Sequence, residues 1–224
     1  MKPVLRPYIS GGRSGFTERG VEDYERRRYR GIDQRIVHAR EVRMIRAYFK
    51  VIRASEGGGR PGAPALDIPC GYGRFTELLR SGGWAVVNSD LSWEMVRRAK
   101  DKSGFAGAVA DAKRGLPFPS GLFSLIFSVR FFHHVHDPSD RAAILREFFR
   151  VSSGWAVVSF YRANGFHRLQ RRIRRLFHKS RTNIKMIEPG RFEEEARAAG
   201  FEAVKVTPLF RGLHAYHLAL LRKK

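Results

Sequence analysis

This chain has little of three things, and each shortage removes a class of function. It has one cysteine, Cys70, in 224 residues. No disulfide can form within the chain, and no cysteine-built metal site is available. It has no apolar run near the ~18 residues that a membrane-crossing helix needs. The first 30 residues carry many charges and no apolar signal core, so cytosolic synthesis in a reducing compartment is expected. It is also poor in acids, with 21 Asp and Glu against 43 Lys and Arg, a formal net charge of +22. Such an excess favours anionic partners. The apolar content, 43%, is ordinary, and a chain of this length supports one domain with a proper core.

The stretch with most chemical content runs from Ala65 to Phe75 (ALDIPCGYGRF). Leu66 and Ile68 read as a buried strand, with Asp67 near its carboxyl end. Gly71 and Gly73 then permit a sharp turn and a close backbone approach to a ligand, because neither has a Cβ. Helical spacing follows, with Phe75, Leu78 and Leu79 on one face. Strand, glycine turn and helix start together make a nucleotide-type site. The dinucleotide fingerprint needs a third glycine where this chain has Thr76, and the phosphate-loop pattern is absent. A ligand without phosphate is indicated.

Two further acids follow in order. Ala85-Val86-Val87 is a second apolar strand, closed by Asp90, 17 residues after Gly73. An acid about 20 residues past a glycine loop is where ribose hydroxyls are held in Rossmann-type sites. Leu91 follows it, and Ser92 suits a helix N-cap. Val109-Ala110-Asp111-Ala112 is the third such place. Taken singly, Asp90 and Asp111 also suit helix starts, which favour acids, and a Gly-x-Gly turn can be only a turn. The order and spacing make the set.

On these motifs the chain resembles the class I methyltransferases that use S-adenosylmethionine (SAM). Asp67-Ile68-Pro69-Cys70-Gly71-Tyr72-Gly73 matches their first motif at the acid and the last two glycines, with Pro69 in place of the first glycine. The resemblance implies a Rossmann-like, seven-stranded, mostly parallel sheet with helices on both faces and an antiparallel last strand. It implies that Asp67 and the turn with Pro69, Gly71 and Gly73 hold the amino-acid end of SAM. Asp90 and Leu91 would then serve ribose and adenine, Asp111 and Ala112 the adenine, and Val129 would line the site after the fourth strand. Leu116-Pro117-Phe118 before that strand resembles the small-molecule and lipid branch. His134-Val135-His136-Asp137-Pro138 resembles a family pattern at the same place. Direct in-line methyl transfer is implied. For an acceptor that must lose a proton, His134 is the first candidate base, with Tyr24 and Tyr29 as further candidates on an N-terminal helix. In an extended segment His133 and His136 would point away from it. No cysteine or carboxylate cluster joins the three histidines, so no metal is expected.

The organisation divides into an arm (1–20), an N-terminal helical lid (21–60), a cofactor core (61–160), a basic cap helix (161–190) and a C-terminal helix and strands (191–224). In the lid, Ile36, Val37, Ile45, Tyr48, Phe49 and Ile52 supply an apolar face. The core has a net charge of only +3, whereas 161–181 has eight cations and no acid. There Phe166, Leu169, Ile173, Leu176 and Phe177 form one helical stripe among Arg168, Arg171, Arg172, Arg174, Arg175 and Lys179. That pattern suits an anionic membrane surface, equally a lid helix with a solvated basic face, and less well nucleic acid. Amino-group methyltransferases of nucleic acids resemble one another in an Asn/Asp-Pro-Pro-aromatic motif, and this chain has Ser128-Val129-Arg130-Phe131-Phe132 there. A small or lipidic acceptor is expected, a phospholipid amine or quinone-like phenol among them, with RNA or ribosome as the alternative.

Overall fold

A computed structural model describes residues 32–55, 60–162, 186–211 and 215–224. Alternation of short apolar strands with helices produces one sheet of seven strands in the order β3-β2-β1-β4-β5-β7-β6. The strands are β1 (Pro64–Asp67), β2 (Ala85–Asp90), β3 (Gly107–Val109), β4 (Phe123–Ser128), β5 (Ser152–Tyr161), β6 (Phe201–Pro208) and β7 (Tyr216–Lys223). Neighbours among β1 to β5 pair in parallel, and β7 runs antiparallel to both β5 and β6. The expected sheet, with its antiparallel last strand, is the one observed. Chain order reverses direction between β1 and β4, and this switch point is where ligands of open α/β sheets bind.

The helices are α1 (Ile32–Ala54), α2 (Thr76–Ser81), α3 (Trp93–Ser103), α4 (Pro138–Val151) and α5 (Arg191–Ala198). Successive strand residues face opposite sides, so the sheet feeds two cores. Leu66, Ile126, Val158 and Phe160 pack with Ile144, Phe148 and Phe192 of α4 and α5. Ala65, Leu125, Phe127 and Val157 pack with Ile45, Phe49 and Ile52 of α1 and with Leu79 of α2. All six residues of β4 are buried, as befits a central parallel strand.

The lid helix differs from expectation at one residue. Ile45, Tyr48, Phe49 and Ile52 are buried, but Ile36 is 55% exposed. Nine residues at 100° each put it on the face opposite Ile45. Tyr48 anchors this helix to the sheet, donating to Leu218 O at 2.8 Å and accepting from the Thr207 hydroxyl at 2.7 Å.

Candidate functional site

The carboxyl ends of β1, β2 and β3 lie side by side, which brings the three acids of the motifs to one edge of the sheet. Asp67 is the last residue of β1 and Asp90 the last of β2, while Asp111 lies two residues beyond β3. Between β1 and α2 the chain turns through Gly71 and Gly73, at φ +53° and +76°. The two glycines serve different ends. A Cβ at Gly73 would stand 3.1 Å from Ala99 Cα, so this glycine lets the turn pack against α3. A Cβ at Gly71 would meet nothing within 4 Å, which leaves backbone open to a ligand. Gly71 N–H donates to Asp90 Oδ2 at 3.0 Å, and Ser92 N–H donates to Oδ1 at 3.0 Å. Asp90 therefore fastens the turn to β2 and keeps lone pairs to spare.

The electrostatics mark Asp67. It is buried, and its Oδ2 has no hydrogen-bond partner. Burial, and secondarily the Asp90 carboxylate, push its carboxyl well above the usual range. Burial also raises Asp90, against the N–H groups of Ser92, Gly71 and Leu91. A buried carboxylate oxygen without a partner is costly, and a bound cation would relieve it. The residues present thus fit a ligand with an ammonium end and a hydroxylated ring. Cys70 is buried, and burial and the two acids raise its thiol. It is a packing residue rather than a nucleophile. Half-buried Pro69 and Leu91 flank the turn and the end of β2, Ala112 and Val129 are buried, and half-buried Asp111 accepts from Lys113 N–H at 3.0 Å. The Ile68–Pro69 peptide is cis.

The histidine segment is not extended. Phe132–His134 is a single 3-10 turn, so the rings of His133 and His134 come together, centroids 3.9 Å apart. His133 is the buried one, against Tyr161 at the end of β5, and His134 is exposed. Asp137 caps α4 by accepting from Ser139 N–H. Tyr24, Tyr29 and the basic segment from residue 163 to 181 lie outside the described residues. Among the described residues no group of His, Cys, Asp and Glu could hold a metal.

A second cluster stands beyond the turn, and the motifs did not mark it. Glu41 of α1 is 1% exposed and receives Arg74 Nη2 at 2.6 Å, Arg130 Nε at 3.0 Å and Arg130 Nη2 at 3.2 Å. Burial raises its carboxyl, but the cations around it prevail and hold it at about 2. His38 Nδ1 lies 2.7 Å from Arg74 Nη2 and 4.0 Å from Glu41. A guanidinium can only donate, so Nδ1 accepts, and the two arginines carry the effect on Glu41. Tyr216 is buried beside the cluster, its phenol pushed well up by burial and then by Glu41. The signal available in the sequence was an arginine two residues after the fourth strand and another directly after Gly73.

Residues 66–158 match a family model described as a methyltransferase domain. This segment is a class I methyltransferase domain. A malonyl-[acyl-carrier protein] O-methyltransferase of Hamiltonella defensa subsp. Acyrthosiphon pisum (strain 5AT) is 33% identical to the domain over 95 residues, 42% of this chain and 36% of that one. The chain thus matches about a third of the length of that curated relative. The magnesium protoporphyrin IX methyltransferase (ChlM) of Synechocystis PCC 6803, solved with bound SAH, shares the methyltransferase fold at a TM-score of 0.74 and 16% identity. The match covers 92% of this chain and 95% of that one. The [4+2]-cyclase SpnF shares it at 0.61 and 15%, covering 79% and 80%. The fold is common to different chemistries, so the argument for activity belongs to the site.

Proposed function

We infer that this methyltransferase domain binds SAM at the ends of β1 to β3 and directs its methyl group to a small-molecule acceptor. The observation that carries the reading is Asp67, whose buried carboxylate has a partnerless Oδ2 beside an open glycine turn and suits the ammonium end of the cofactor. Asp90 would accept from the ribose hydroxyls while still holding Gly71. Leu91, Asp111 and Ala112 would enclose the adenine, and Pro69, Gly73 and Val129 would complete the wall.

SAM, when bound, supplies a sulfonium methyl that is already electrophilic. The chain therefore has mainly to align an acceptor atom behind that methyl and to exclude water. The parts suited to this are α1, pinned across the site by Glu41, and the turn that follows β4. Where an acceptor needs to lose a proton, exposed His134 is the proposed base, with Tyr24 and Tyr29 as further candidates.

A lipidic or amphiphilic acceptor, met at the inner face of an anionic membrane, extends this reading. Its support is the sequence of 161–181, with its apolar stripe among arginines. Among the described residues no helix is long and apolar enough to cross a membrane, so the association would be peripheral. Replacing Arg171, Arg172, Arg174 and Arg175 by Gln should lower binding to phosphatidylglycerol vesicles without changing cofactor affinity. Unchanged vesicle binding would remove the membrane from the account. The activity itself is tested by transfer of labelled methyl from SAM into lysate, then separation into lipid, small-molecule, RNA and protein fractions. Label in the first two is expected. Label in RNA would recast the arginines as phosphate contacts, and no transfer would overturn the reading.

A further inference from the structure

Arg130 stands at an unusual place. It follows Val129 directly after β4, at the switch point of the sheet, and its backbone is left-handed, with φ +63°. A residue with a side chain adopts that region at a cost of about 1 kcal/mol or more. Contacts from two other elements hold it there. Its N–H donates to Ser159 Oγ of β5 at 2.6 Å, and its Nε and Nη2 donate to Glu41 of α1. Ser159 thus holds the backbone of Arg130 and Glu41 holds its guanidinium, just beyond the carboxyl end of β4.

The charges do not cancel. Glu41 is one carboxylate between two guanidiniums, so the cluster keeps a net positive charge. The Arg130 side chain is 18% exposed, and its Nη1 makes no hydrogen bond among the described residues. A half-buried cation with the two N–H donors of Nη1 to spare selects an anion.

Resting on the cofactor assignment above, we propose that the methyl acceptor is a carboxylate of a small molecule, held by Arg130 Nη1, and that the product is a methyl ester. Nη1 grips one carboxylate oxygen and leaves the other free to attack. That oxygen's lone pair forms the new C–O bond while the S–CH3 bond breaks, its electron pair staying on sulfur. Carboxylate and sulfonium become neutral ester and thioether, and no proton moves. A carboxylate is already ionised near neutral pH, so this acceptor needs no base from His134. The Glu41 pairing has a role here as well. An arginine with its full field on the acceptor would favour the charged ground state over a transition state that is losing charge. With Glu41 absorbing much of that field, Arg130 orients the carboxylate more than it stabilises it.

The test uses the full chain, labelled SAM and a protein-free extract of small molecules resolved by anion exchange. Wild-type protein should place label in the anion-derived fraction, and mild alkali should release it as volatile methanol, as methyl esters do. Arg130→Gln and Arg130→Lys should each lose at least tenfold in transfer, while their affinity for S-adenosylhomocysteine stays within twofold of wild type. That affinity, by calorimetry, also reports that the variants fold. Label that resists alkali, no label in this fraction although the cofactor binds, or variants that transfer like wild type would overturn the proposal. Failure of wild type to bind S-adenosylhomocysteine would instead overturn the cofactor assignment.

Discussion

Asp67→Asn should raise the melting temperature of the free protein and weaken its hold on SAM. The Asp67 carboxyl is 2% exposed, one of its oxygens has no partner, and Asp90 stands close enough to raise it further. The amide keeps the shape and removes the ionisable group. Removing the cost of burying this ionisable group is worth on the order of 1–2 kcal/mol, about 2–8 °C in a domain of this size. The effect on binding has the opposite sign. A charge-assisted hydrogen bond to the ligand's ammonium contributes about 1.5–3 kcal/mol, so the dissociation constant for S-adenosylhomocysteine should rise roughly 10- to 150-fold. Protons give a second readout. In the free protein the raised carboxyl favours its protonated form, so its stabilising contribution is full below its unfolded value and is lost as pH rises through the folded one. A bound ammonium reverses that shift, and binding should release protons that Asp67→Asn does not release. Calorimetry in buffers of different ionisation heat measures this, and thermal melting measures the stability. Unchanged cofactor affinity, or a lower melting temperature, would refute the role given to Asp67.

Other expectations come from the same geometry. Glu41→Ala leaves two guanidiniums without their shared carboxylate and should cost about 3–5 kcal/mol in urea unfolding. In wild type, Glu41 sits at about 2 rather than its usual 4.5, so its contribution is present above pH ~4.5 and lost as pH falls towards 2. Acid titration should show about 3 kcal/mol lost across that window, and Glu41→Gln should flatten it. The two glycines should separate: Gly73→Ala meets Ala99 backbone and should mainly lower stability. Gly71→Ala meets nothing but carries the strain of a positive φ, about 1 kcal/mol, and beyond that cost should lower cofactor affinity. With a carboxylate acceptor, His134→Ala should change kcat/KM by less than threefold, and a loss of a hundredfold would restore the base.

The sheet and the edge that collects the three acids were legible because their signals are local. Leu66 and Ile68 ending in Asp67, then Gly71 and Gly73, place a strand, its end and its turn within nine positions. Parallel pairing then sets the ends of β1, β2 and β3 beside one another and collects Asp67, Asp90 and Asp111. The Glu41 cluster has no such local signature. Glu41, Arg74 and Arg130 lie 33 and 89 positions apart in the relevant pairs and meet only because α1 crosses the sheet face. Among 43 cations, nothing nearby in sequence sets Arg130 apart. Ile36 was misplaced because an apolar residue at the start of a helix does not reveal its face until the phase is fixed by Ile45 and Ile52. His133 came to lie beside His134 because the chain turns immediately after Phe131, which composition does not signal.

The account stands most directly on a crystal structure of the protein with S-adenosylhomocysteine. It predicts the ligand's amino group within hydrogen-bonding distance of Asp67 Oδ2, about 2.7–3.2 Å, and its ribose hydroxyls on Asp90. A ligand bound elsewhere, or an Asp67 carboxylate that stays without a partner in the complex, would contradict it.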